Sequence, residues 1–169
     1  VGGQEDYPSQ VELLSRPVDG LGNPEDHHIE IIDMVEDYSH LSAIILDTDY
    51  YNYLIEHSEV KGGLRYASAD SLICLKVLAY LNLKKEKEAG NHVNDYDYKK
   101  HRRDVLMAAA SLTVDETHAV TASLKSAITE FIGAVSDASV KKSLIASLGI
   151  NEEAFGLYLE ALEEAFVVE

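Results

Sequence analysis

One cysteine stands in the 169 residues, Cys74, so no disulfide framework forms within the chain, which suits a reducing cytoplasm. No apolar run reaches about 18 residues, which excludes a transmembrane helix by the usual length rule. Nothing reads as a secretory signal peptide. Basic residues are scarce: Lys+Arg 14 against Asp+Glu 30, a net charge of −16. That balance disfavours a general nucleic-acid coat or an anionic membrane surface as partner, yet leaves room for one local basic site. Also missing are G-x-G-x-x-G, the P-loop glycines and G-x-S-x-G; Gly2-Gly3 makes none of them. The first residue is Val1 rather than Met. We therefore expect a processed or truncated product with sequence missing upstream.

What is present can build a core. The hydrophobic fraction is 46%, and the length fits one structural domain. The strongest stretch is Ser68 to Leu83, SADSLICLKVLAYLNL. Its apolar residues surround the helix, the pattern of a core element. Ser68 suits the N-cap and Asp70 the positive end of the dipole. Lys76 interrupts the run. It either snorkels to a rim or pairs with a structural carboxylate, or it points into a cleft that holds an anion.

Short strand candidates precede this helix: residues 10–16, 29–32, 41–46 and 64–67, with a helix over 47–58 and a turn at Gly62-Gly63. Pro17, Gly20, Gly22 and Pro24 mark a loop. Helices are predicted after it, over 93–112, 113–135, 139–148 and 152–167. Strands first and helices after give an α+β class: a small mixed sheet region over 1–67 with a helical region over 68–169 packed on it. Lys84, Lys85, Lys87, Lys99, Lys100, Arg102 and Arg103 are half of all the lysines and arginines, within 20 positions. They make either a local phosphate-binding patch or a solvated corner salted with Glu86, Glu88, Asp95 and Asp97.

Candidate chemistry is sparse. Asp47-Thr48-Asp49 follows an apolar strand and could hold metal, but Asp47 fits better as a helix cap and Asp49 as a first-turn acid. Asp95-Tyr96-Asp97 is likewise the lead-in to a helix. Glu12, alone in VELL, is a solvent-side strand residue or one metal-binding acid at a cleft edge; Glu30 and Asp33 are its rivals. The seven histidines show no metal spacing. His101 beside Asp104 has the default role of a satisfied helical histidine, and Cys74 that of a core residue.

Four pieces together resemble the nucleotidyltransferase-fold proteins of the AbiEii toxin-like family, known from bacteria: YPSQVELLSRPVD (7–19), HLSAIILDTDYYNYL (40–54), SLICLKVLAYLNL (71–83) and DYKKHRRDVLMAA (97–109). Their order and spacing fit across roughly residues 7–112. The resemblance implies a small mixed sheet with helices, and transfer of a nucleotide from a nucleoside triphosphate using Mg²⁺. It places Glu12 as a catalytic, metal-binding acid and Lys76 facing the triphosphate. Asp104 would be a second catalytic acid, with Lys100 and Arg103 beside it as nucleotide-binding residues. In such proteins a Gly-Ser turn and paired metal-binding aspartates lie upstream of the Glu12 strand. They are not found here, so the expectation is a piece that is inactive by itself.

The expected function is thus nucleotidyl transfer to an unknown acceptor, an RNA end, a protein side chain or a small molecule, in the cytoplasm. A partner antitoxin belongs to the same expectation, as does a homo-oligomer formed through an exposed sheet edge. A non-catalytic helical interaction module of a toxin–antitoxin-type pair is the alternative.

Overall fold

The computed structural model describes residues 13–15, 29–32, 41–45, 47–113 and 116–169. Glu12 and Asp33 lie outside the described residues, as do most of the predicted 10–16 strand and the Pro17–Pro24 loop. The class is α+β, with a helical C-terminal half. The chain divides into two compact units, Val1–Asn52 and Tyr53–Glu169. The division falls inside a helix.

In the first unit, β1 (Leu13–Ser15) pairs parallel with β3 (Leu41–Ile45), and β2 (Ile29–Ile32) pairs antiparallel with it, giving the order β1-β3-β2. The sheet is mixed, with Ile29 opposite Ile44 and Leu13 opposite Ala43. Helix α1 (Thr48–Glu56) follows. Asp47 caps it, its Oδ1 accepting from the Tyr50 amide at 3.0 Å. The Asp47–Asp49 pair is therefore helix-start chemistry, with one Asp47 oxygen committed to the backbone.

The second unit carries the C-terminal end of α1, from Tyr53 on. A hairpin comes next: β4 (Ser58–Lys61) and β5 (Leu64–Ala67). Gly62 and Gly63 have φ of +61° and +80°, the paired positive φ of a tight two-residue hairpin turn that glycine adopts without strain. The sequence pattern extended α1 over Ser58, but that residue opens β4 instead.

Helix α2 (Ala69–Glu88) is buried along one stripe: Ile73, Cys74, Val77, Tyr80 and Leu81. It is not buried all round as its composition suggested, since Leu72 is 40% exposed. Helix α3 (Asp95–Ala109) packs on α2, contributing Val105, Leu106 and Ala109, and Asn94 caps it by accepting from the Tyr96 amide at 2.9 Å. Helices α4 (Ala122–Val135), α5 (Ala138–Leu148) and α6 (Glu152–Ala165) complete the core with Leu124, Ile128, Phe131, Leu144, Phe155 and Leu162. Phe131 meets the Tyr80 ring edge-on at 5.4 Å; full burial of such a side chain is worth about 1.5–3 kcal/mol.

Two short strands depart from expectation. β6 (His118–Val120) lies within the predicted 113–135 helix, and β7 (Phe166–Val168) takes the end of the predicted 152–167 helix. They pair parallel, His118 opposite Phe166. Phe-Val-Val prefers a pleated edge to a final helical turn, and the pairing satisfies backbone groups that a helix end leaves open. No helix among the described residues is long and apolar enough to cross a membrane.

Candidate functional site

The lysines and arginines of α3 gather at one cavity. Tyr96, Lys99, Lys100 and Arg103 share one flank, and with Arg102 they line a cavity of about 160 Å³ whose other wall is α5. Ser143, Leu144 and Ser147 form that wall. His101 and Asp104 do not line the cavity; the Lys76 Nζ of α2 lies 4.0 Å from Asp104 Oδ2, with 24% of the lysine side chain exposed. Lys76 is thus at a rim, loosely paired to the acid the sequence suggested. Lys100 and Arg103 belong to the cavity, and Lys76 does not line it. The three residues expected to share a triphosphate do not line one cavity.

Arg102 is the unusual member. It lies on the core face of α3 with Val105, Leu106 and Ala109 and is only 6% exposed. Its guanidinium stands over the Tyr98 ring at 5.6 Å and lies near the Tyr80 hydroxyl. Its Nε has no hydrogen-bond partner among the described residues. A buried, uncompensated cation is costly, by several kcal/mol in favourable estimates. The nearby acid cannot neutralise it: Asp95 already takes Lys87 at 2.8 Å and Lys99 at 3.8 Å. The bond from Lys87, then the charges of Lys87 and Lys99, hold the Asp95 carboxyl below its ordinary value. Lys100 and Arg103 make no ion pair among the described residues. Lys84 is engaged by Glu88 at 2.9 Å. The basic cluster therefore resolves into a salted corner at 84–99 and a cavity where Lys100, Arg102 and Arg103 have no ion pair among the described residues.

The His101 ring is half-buried between the same helices, with an unpartnered Nδ1. Burial, then the Lys76 charge, lowers its pKa against the opposing pull of Asp104 and Asp97. A neutral imidazole beside Lys76 is the consequence.

A third grouping was invisible in the sequence. Asp70, in the first turn of α2, is 5% exposed, and three side chains converge on its Oδ2. The Tyr53 hydroxyl donates at 2.8 Å, His57 Nδ1 lies at 2.7 Å, and His118 Nδ1 at 3.7 Å. Tyr53 also stacks on His57, ring centres 4.0 Å apart. Burial opposes ionisation of Asp70. The Ser68 and Tyr53 bonds and the charge on His118 and His57 outweigh it and hold the carboxyl below its ordinary value. Burial, then the bond to Asp70, pushes the Tyr53 phenol up. Ser68 precedes α2 as expected, but its hydroxyl donates to the His57 carbonyl rather than capping the helix. Asp70 is thus a tertiary junction more than a dipole partner. The histidines that lacked metal spacing along the chain do meet in space, as His57, Asp70 and His118, their ligand atoms within 4.8 Å of one another. Burial, then the Asp70 charge, raises the Cys74 thiol, in keeping with a core role.

The chain matches no protein-family model, no curated protein and no solved structure.

Proposed function

We propose that the chain binds a polyphosphate-bearing ligand, a nucleoside triphosphate, in the cavity between α3 and α5, as a nucleotidyltransferase-like protein of the AbiEii toxin-like type. One observation carries the binding half: a nine-tenths-buried Arg102 with an orphan Nε, beside unpaired Lys100 and Arg103, at a cavity in a protein of net charge −16. An anion would neutralise the arginine where no carboxylate does, and Ser143 and Ser147 offer hydroxyl donors on the facing wall. Guanidinium groups suit phosphate because their planar donors bond two oxygens at once. The transfer half, with Mg²⁺ and the acids Glu12 and Asp104, rests on the quoted sequence pieces. Asp104 itself does not line the cavity and stands beside Lys76. In this reading Lys76 serves the helix pair, and the phosphates go to the cavity.

Isothermal titration with tripolyphosphate, with Mg²⁺-ATP and with adenosine tests it. Each charge-assisted bond is worth about 1.5–3 kcal/mol, so Lys100→Gln or Arg103→Gln should weaken tripolyphosphate binding about tenfold or more. Lys85→Gln, away from the cavity, should leave it unchanged. Equal losses in all three variants mean diffuse charge attraction and defeat the proposal. Absence of binding in the unaltered chain moves the interaction-module alternative ahead. That alternative has its own observation: Leu64 and Tyr66 share one face of the β5 strand and are 63% and 50% exposed.

A further inference from the structure

The structure assigns a divalent transition-metal site, of the zinc class, to His57, Asp70 and His118. The three residues come from three separate elements: the end of α1, the first turn of α2 and the first residue of β6. Both imidazoles direct the same atom, Nδ1, at one carboxylate oxygen, at 2.7 and 3.7 Å, and Tyr53 donates to that oxygen as well. Three donors crowd a single acceptor. With both Nδ1 atoms deprotonated, their lone pairs converge with the carboxylate on one point, the arrangement a cation uses. Tetrahedral ligands about 2.0–2.2 Å from a metal lie about 3.3–3.6 Å apart, so on binding the ion the set closes from 4.8 Å while His57 and Asp70 open from 2.7 Å.

The donor chemistry selects the ion. Two imidazoles and one carboxylate suit Zn²⁺, Co²⁺ or Fe²⁺, whereas Mg²⁺ wants oxygen throughout. Three protein ligands leave a fourth position for water or a ligand atom. The surroundings match those of metal ligands. The Tyr53 hydroxyl orients the Asp70 carboxylate, stacking against Tyr53 fixes the His57 ring, and Phe166 packs 5.5 Å from the His118 ring. His57, 29% exposed, leaves a path for the ion to enter, while Asp70 is closed off. The site is independent of the cavity between α3 and α5.

Titration of the full chain with Co²⁺, followed by visible absorption, and with Zn²⁺, followed by calorimetry, tests the assignment. The expected result is one equivalent bound, with the intense d–d bands of a four- or five-coordinate site, displaced by Zn²⁺ and not by Mg²⁺. His57→Gln and His118→Gln should each lower the affinity at least tenfold, and Zn²⁺ should raise the melting temperature of the unaltered chain but of neither variant. Weak octahedral bands, displacement by Mg²⁺, or Zn²⁺ binding in both variants as tight as in the unaltered chain would overturn it. The spectrum of the unaltered chain decides even if a variant fails to fold.

Discussion

The junction at Asp70 and the cavity at Arg102 are both made of charged groups brought to the core, and they are built in opposite ways. At Asp70 one buried anion is oversupplied with donors, from Tyr53, His57 and His118. At Arg102 one buried cation is undersupplied: a phenol, a ring face and an orphan Nε. The first arrangement ties separate segments together and contributes to folding. The second costs folding energy, and such a cost is the usual mark of a group kept for binding.

Breaking the anion should do the most damage. Asp70→Ala leaves the Tyr53 hydroxyl and two imidazoles without their acceptor, and should destabilise the unit by about 3 kcal/mol in urea denaturation. Removing the cation should go the other way. Arg102→Met fills the same space without a charge, so stability should hold or rise by about 1 kcal/mol while tripolyphosphate affinity falls. A loss of stability as large as that of Asp70→Ala would erase the contrast between the two clusters. Tyr53→Phe removes one of the bonds to Asp70 and should cost about 1 kcal/mol.

The smallest effect concerns Asp95, the exposed acid nearest the cavity. Its carboxyl is held low by Lys87 and Lys99, so its contribution to stability is present above the ordinary carboxyl range and is lost as pH falls through the lowered value. Asp95→Asn should remove that part of the acid limb of a stability–pH profile. It should also tighten tripolyphosphate binding slightly, because Lys99 is released to the cavity.

The contrast also shows which physics a sequence carries. Local signals were legible. The apolar run marked α2, Gly62-Gly63 marked the hairpin turn, and Ile29–Ile32 stood out by β-branching. The crowding of Lys99 to Arg103 marked the basic region, though not the cavity they line, which depends on the wall that α5 supplies. That Lys76 pairs with a carboxylate was legible from one charge in an apolar run, and the partner is Asp104 on the next helix. Long-range pairings were not legible. β6 and β7 are three residues each, and their register partners are 48 positions apart, which no periodicity records. Asp70 carried a sufficient local explanation as a first-turn acid, which hid its ties to His57 and His118. Glu12 and the acids near it lie outside the described residues.

The central claim is that an acidic protein keeps one anion seat, on one flank of α3. Amide NMR shifts during titration with tripolyphosphate test it most directly. The account predicts saturable shifts at Tyr96, Lys100, Arg103, Ser143 and Ser147, with Lys76 and the Asp70 junction unmoved. Shifts spread over other basic positions such as Lys125 and Lys141, or centred on Lys76, would contradict it.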